Sequence, residues 1–162
     1  LIAAGCIALI AGPNGKREIP IEEFHIGPGK TVLDNGEMLV SLKFPKRETN
    51  SSDAYLRMTP RTEMDIAVVG CGVNITFENN VCTAARVSLG AVAPTPLLIK
   101  EASKIMFGSD LNSEILDKVS KICMDLCDPI DDKRGTIDYR TKVAGVLFKR
   151  ATLTTIDRIK GN

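Results

Sequence analysis

Tyr55 to Pro96 reads YLRMTPRTEMDIAVVGCGVNITFENNVCTAARVSLGAVAPTP, and its second half decides the fold class. Ile66 to Phe77 and Val81 to Leu89 are rich in β-branched and small residues, a composition that suits a half-buried pleated surface. Glu78-Asn79-Asn80 between them tolerates left-handed turn geometry, so the two runs read as one antiparallel hairpin. Gly70 and Gly72 in the first run mark either a bulge or a close approach of backbones. The first half, Tyr55 to Asp65, is a charged loop in which Arg57 and Arg61 stand four residues apart, with Glu63 and Asp65 beyond them. Paired guanidiniums can hold a phosphate or a polar ring edge, and a surface ion-pair network is an equally good reading.

Upstream, the apolar run Cys6 to Ala11 and the segment Arg17 to Ile21 flank Pro13-Asn14-Gly15-Lys16, which reads as strand, turn, strand. Met38 to Phe44 alternates as a strand closed by Pro45, and Lys46 to Ser52 is a polar turn feeding a short strand at Ala54 to Met58. The opening LIAAGCIALIAG has neither a Met nor a basic leader and is too short to span a bilayer. It reads as the end of a helix or loop running into a buried strand, with residues upstream expected to be missing.

Downstream of Gly90 the period changes from two to 3.6. Thr95 as cap and Pro96 as first residue predict a helix to about Phe107, stopped by Gly108. A second helix is expected from Asn112, with Ile115, Val119, Ile122, Cys123 and Leu126 on one apolar face. Thr136 caps a third, with Asp138 in its first turn and Tyr139, Val143, Val146, Leu147, Arg150 and Leu153 along one side. Strands followed by helices predict an α+β domain, with helices covering one face of an antiparallel sheet.

The composition excludes several functions. The 162 residues carry 44% hydrophobic content, enough for a core of one domain or one and a half. A net charge of +1 and seven aromatics, none of them Trp, give little for nucleic acid to bind. The five cysteines have no CxxC spacing and His25 is the sole histidine, so no zinc site is expected; the thiols read as reduced and intracellular. Gly27-Pro28-Gly29-Lys30 lacks the spacing of a phosphate-binding loop, and Asp128 to Arg134 lacks the alternating oxygen ligands of a hard-cation loop. No nucleophile and base stand at a defensible catalytic spacing.

Four segments together, FHIGPGKTVLDNGEMLVSLKFP, YLRMTPRTEMDIAVVG, ARVSLGAVAPTP and DPIDDKRGTIDYRTKVAGVLFKRA, resemble the later part of the flavoprotein (medium) subunit of molybdenum hydroxylases, the family of aerobic carbon monoxide dehydrogenase and xanthine dehydrogenase. The resemblance implies that residues 1–58 are the last part of an FAD-binding domain. Residues 59–162 would then be the carboxy-terminal domain, a three- or four-stranded antiparallel sheet covered by three helices. It also implies a cytoplasmic oxidoreductase subunit that receives electrons from a molybdenum large subunit through an iron-sulfur small subunit and passes them through FAD to an external acceptor.

Carried over by position, Leu39 matches the strand residue whose main chain borders the flavin ring. Arg57 stands where the family commonly has Lys, and Arg61 and Asp65 match the R…D of the ring-side loop. A cation beside the N1 and C2 carbonyl side favours the reduced, anionic flavin, which makes Arg57 an electronic tuner. Met64 stands where some relatives are acidic. The family's glycine-rich loops for the FAD diphosphate are not in these residues, so the chain alone is expected to bind FAD weakly if at all and to be inactive alone. The alternative is an α+β interaction module that docks onto partner subunits with no redox role.

Overall fold

The computed structural model describes residues 1–61 and 66–161. Two sheets follow one another along the chain. The first has β1 (Ile7–Gly12) at its centre, flanked by β2 (Gly15–Pro20) and β5 (Met38–Lys43). Between β2 and β5 the chain makes a short hairpin of β3 (His25–Gly27) and β4 (Lys30–Thr31). Alternate residues Cys6, Ala8 and Ile10 bury a small core with Ile21 and Phe24. Arg17 closes the far side: it donates to both carboxylate oxygens of Glu37, at 2.8 and 2.7 Å, and to the Val32 carbonyl.

The second sheet is antiparallel, in the order β6 (Ser51–Met58), β7 (Val69–Glu78), β8 (Val81–Gly90), β9 (Leu97–Leu98). The β7–β8 turn is made by Asn79 and Asn80 at φ 50 and 63, both in the left-handed region that asparagine tolerates. Cys71, Val73 and Ile75 of β7 and Val87 and Leu89 of β8 point to one side and form the main core with the helices. Helix α1 (Lys100–Met106) packs on β8, and α3 (Ile137–Lys160) on β6 and β7, while α2 (Ser113–Asp125) lies against both helices. The expected α+β class, with three helices on an antiparallel sheet, is the architecture found.

Four local expectations are corrected. Thr95 and Pro96 do not start a helix: Leu97 and Leu98 pair with Leu89 and Ser88, and the Ile99 N–H donates to the Val87 carbonyl at 2.8 Å before α1 begins. On α3, Tyr139, Val146 and Leu153 are exposed, and the buried face is Arg140, Ala144, Leu147, Phe148, Ala151 and Thr155. On α2, Leu116 and Ser120 join Val119 and Cys123 in the interior and Leu126 is exposed, so its face is rotated from the expected one. The strand expected from Ala54 starts at Ser51 and is hydrogen-bonded into the second sheet along its length. The break between the two sheets falls between Lys43 and Ser51.

The cap at Thr136 forms as expected, and Asn112, near which the second helix was expected to begin, caps α2. The Asn112 side chain accepts the Ile115 N–H at 3.1 Å and Thr136 Oγ1 accepts the Tyr139 N–H at 3.2 Å. Gly108, at φ 77, follows α1.

Candidate functional site

Strand alternation separates the second sheet into a helix-covered face and a bare one. On β6, Ala54, Leu56 and Met58 contribute to the core, which turns Asp53, Tyr55 and Arg57 to the opposite side. On β7 the residues across from Tyr55 and Arg57 are Gly72 and Gly70. A Cβ on Gly70 would lie 2.7 Å from the Tyr55 hydroxyl, and one on Gly72 would lie 2.9 Å from Ser88 Oγ. The two glycines thus mark a close approach, giving the Tyr55 ring room to lie along the sheet, and the β7–β8 bulge falls instead at Thr76/Phe77.

Above this bare face the amino-terminal segment and the first sheet form a seam. A cavity of about 400 Å³ lies there, bounded by Ile2, Ile21 and His25 on one side and by Tyr55, Gly72 and Gly90 on the other. Arg86 of β8 bridges the seam: Nε and Nη2 donate to the Ile2 carbonyl at 3.1 and 3.0 Å, and Nη2 to Glu22 Oε1 at 2.9 Å.

The expected site residues divide between the two sheets. Leu39 is on β5, the edge strand of the first sheet, opposite Ile10 and 36% exposed, with exposed Met38 and Val40 on either side. Arg57 is exposed near the end of β6, and Arg61 is exposed just beyond that strand. Asp65 and Met64 lie outside the described residues. Arg57 and Arg61 therefore share one end of the second sheet, whereas Leu39 is no ladder neighbour of either.

Other candidate chemistry resolves into structure. Burial raises the thiols of Cys71 and Cys82, the latter to about 11, and brings Cys123 to about 12 and Cys127 to about 11. All five cysteines are free, and the Cys127 thiol donates to the Cys123 carbonyl. His25 is exposed and packs edge-on against Phe24. The Asp128 to Arg134 segment organises the start of α3: Asp131 accepts the Ile137 N–H, and Asp132 accepts the Arg134 N–H and the Arg140 guanidinium. These bonds hold the Asp132 carboxyl down at about 2, first through the Arg134 N–H and then through Arg140.

Sequence reasoning assigned nothing to Arg86 or Arg140. Arg86 alternates with Ala85 and Val87 and so reads as an ordinary outward residue of a strand. Arg140 left a signal: four residues ahead of Ala144 and seven ahead of Leu147, it occupies a helical core position where a charge needs a partner.

Residues 1–47 match the FAD binding domain in molybdopterin dehydrogenase, and residues 54–155 match the CO dehydrogenase flavoprotein C-terminal domain. The chain belongs to the flavoprotein subunits of the molybdenum hydroxylases. The carbon monoxide dehydrogenase medium chain of Afipia carboxidovorans is 33% identical over 142 residues, covering 88% of this chain and 49% of that protein. The xanthine dehydrogenase FAD-binding subunit of Escherichia coli is 29% identical over 142 residues, 87% of this chain and 49% of its own length. Among solved structures, reconstituted CO dehydrogenase from Oligotropha carboxidovorans superposes with a TM-score of 0.92 at 30% identity, over 97% of this chain and 55% of the matched one. The flavoprotein chain described here thus spans about half the length of the curated relatives it matches.

The groups a flavin would need divide into ring-side and diphosphate-side donors. The apolar edge of β5 and the guanidinium of Arg57 are both exposed, which is the kind of surface a planar ring with a polar edge needs, but they stand on different sheets. The diphosphate is another matter. The glycine turn at Gly27 to Lys30 joins two short strands, with no helix amino terminus behind it to gather backbone N–H groups on an anion.

Proposed function

We propose that this chain is the ring-side portion of an FAD subunit that takes electrons from the iron-sulfur clusters of a molybdenum hydroxylase and passes them to an external acceptor. The observation that carries the reading is the succession of two family matches, FAD-binding then flavoprotein carboxy-terminal, on a chain whose bare sheet face presents Arg57. FAD, when bound, supplies the redox chemistry. The chain's own residues supply surroundings: Leu39 borders the ring with its main chain, and Arg57, with Arg61 and Asp65 nearby in sequence, offers positive charge to its polar edge. A fixed cation beside a site where negative charge collects raises the ease of reduction.

The division of labour follows the two sheets. Residues up to the β5–β6 connection complete the FAD-binding domain, and β6 onward forms the carboxy-terminal domain, with β6 moved to the second unit because its backbone pairs there. The partners in this reading are an iron-sulfur small subunit and a molybdenum large subunit. Five free thiols support a reducing, cytoplasmic setting, and among the described residues no helix is long and apolar enough to cross a membrane. The second reading, a docking module without redox role, draws on Tyr139, Val146 and Leu153, an exposed apolar row along α3.

A flavin-fluorescence titration of the FAD subunit separates the two. Arg57→Ala is expected to weaken FAD binding by about tenfold, the effect of one charge-assisted hydrogen bond. The chain of 162 residues alone is expected to quench FAD weakly or not at all. An Arg57→Ala subunit that binds FAD as the wild type does would remove the ring-side assignment and favour docking.

A further inference from the structure

Arg140 is the only charged side chain among the described residues that is buried, at 4% exposure. All three of its guanidinium nitrogens are committed. Nη1 donates to the Val68 carbonyl at 2.8 Å and to the Ala91 carbonyl at 3.3 Å, Nη2 to Asp132 Oδ1 at 2.7 Å, and Nε to the Gly135 carbonyl at 3.4 Å. A buried ion pair contributes little net stability over an apolar pair of similar volume, so its worth lies in what it orients. Here it ties together three segments distant in sequence: the residue preceding β7, the residue following β8 and the loop before α3.

The first tie reaches the proposed flavin side. The Val68 N–H donates to the Met58 carbonyl at 2.9 Å, which closes the base of the connection between β6 and β7. The adjoining rungs pair Met58 with Val69 and Arg57 with Gly70. Arg140 therefore holds Val68 from one side while Val68 holds Met58 on the other, and Arg57 is the next residue along β6. Ala91, at φ 62, is kept in a conformation unusual for a residue with a Cβ, which requires support from its surroundings.

We propose that Arg140, fixed by Asp132, is a positioning residue for the flavin site: it sets the height of the β6 and β7 ends and through them the placement of Arg57 against the ring. This rests on the reading of the chain as the ring-side portion of an FAD subunit. Lysine at 140 keeps the charge but offers a single donor centre in place of the planar fork, so it cannot reach Val68, Ala91 and Asp132 together.

The test is a double-mutant cycle in the FAD-loaded subunit, read by FAD dissociation constant and flavin midpoint potential, with thermal unfolding measured on every variant. Arg140→Lys is expected to weaken FAD binding roughly threefold to tenfold and to shift the potential in the direction that Arg57→Ala shifts it. In the Arg57→Ala background, Arg140→Lys is expected to have little further effect, because its route to the flavin is already gone. If Arg140→Lys does not fold, Asp132→Asn, which keeps an acceptor and drops the charge, takes its place in the cycle. An Arg57→Ala effect accompanied by an Arg140→Lys variant that only melts earlier, with wild-type affinity and potential, would overturn the positioning role while leaving the flavin reading intact. Equal fold-losses in both backgrounds would overturn it too. No effect of Arg57→Ala would overturn the underlying reading and the positioning role with it.

Discussion

Gly145→Ala in α3 sets two opposed effects against each other. In an exposed helix interior this change adds about 1 kcal/mol of stability, because alanine has less backbone freedom to lose. Gly145 is buried where α3 meets α2, and a Cβ there would lie 2.6 Å from Ser120 Oγ and 3.0 Å from Met124 Cγ. Met124 is a flexible chain and can yield, but Ser120 is itself buried, and only rotation of its hydroxyl or separation of the helices relieves the contact. Overpacking of this kind costs about 1–3 kcal/mol, so the net expectation is a loss of about 1 kcal/mol. For a chain of this size that is a fall of about 2–4 °C in Tm. Ser120→Ala removes the oxygen, and in that background Gly145→Ala is expected to be neutral or stabilising, which a four-variant cycle of thermal melts would show. A rise in Tm for Gly145→Ala alone would mean that α2 and α3 do not approach as closely as described, and would refute the reasoning.

Three further expectations concern caps, acid and thiols. Asn112→Ala removes the acceptor of the Ile115 N–H and is expected to cost about 1 kcal/mol in denaturant unfolding, with Asn112→Ser nearly neutral. The Glu37 carboxyl is held at about 2, chiefly by the Arg17 guanidinium and then by the Asp34 N–H, and Asp132 is also held at about 2. A lowered carboxyl contributes stability that is present above its unfolded value and lost as pH falls towards the folded one, so Tm is expected to drop between about pH 5 and pH 2, less steeply in Glu37→Gln. Because burial raises Cys71, Cys82, Cys123 and Cys127, these thiols are expected to react slowly with a disulfide reagent at pH 8 and to become reactive only on unfolding, and rapid native labelling of Cys123 would contradict the packing.

What the sequence made legible is what local chemistry specifies. Asn79-Asn80 announces its turn because few other residues accept a positive φ twice in succession, and Thr136 announces its helix because it satisfies an orphan N–H three residues on. The start of α1 was not legible, since Leu97 and Leu98 are held by β8, and a cap-and-proline signal at Thr95-Pro96 says nothing of that strand pairing. The face of α3 was misread for a different reason. Apolar residues recur at Tyr139, Val146 and Leu153, yet Thr152 and Thr155 are the ones buried. They can be, because their hydroxyls donate to the Phe148 and Ala151 carbonyls one turn back, at 2.9 and 2.8 Å, which removes the cost of taking them from water.

The candidate site shows the same limit. Arg57 and Arg61 stood out as a pair from their spacing alone, but the glycines that make room for Tyr55 beside them had two readings until β6 was seen to lie across from β7. The position of Arg140 signals burial, but its partners, Val68, Ala91 and Asp132, come from three separate segments and are not legible from it.

The most direct measurement is the midpoint potential of the flavin in the FAD subunit with Arg57 intact and with Arg57→Gln, which removes the charge and keeps a polar side chain of similar reach. If Arg57 faces the ring's polar edge, the potential should fall by roughly 5–20 mV, the two-electron equivalent of one partly screened charge interaction. The shift should shrink as salt is added. An unchanged potential, with FAD fully bound, would contradict the claim that this chain supplies the ring-side charge.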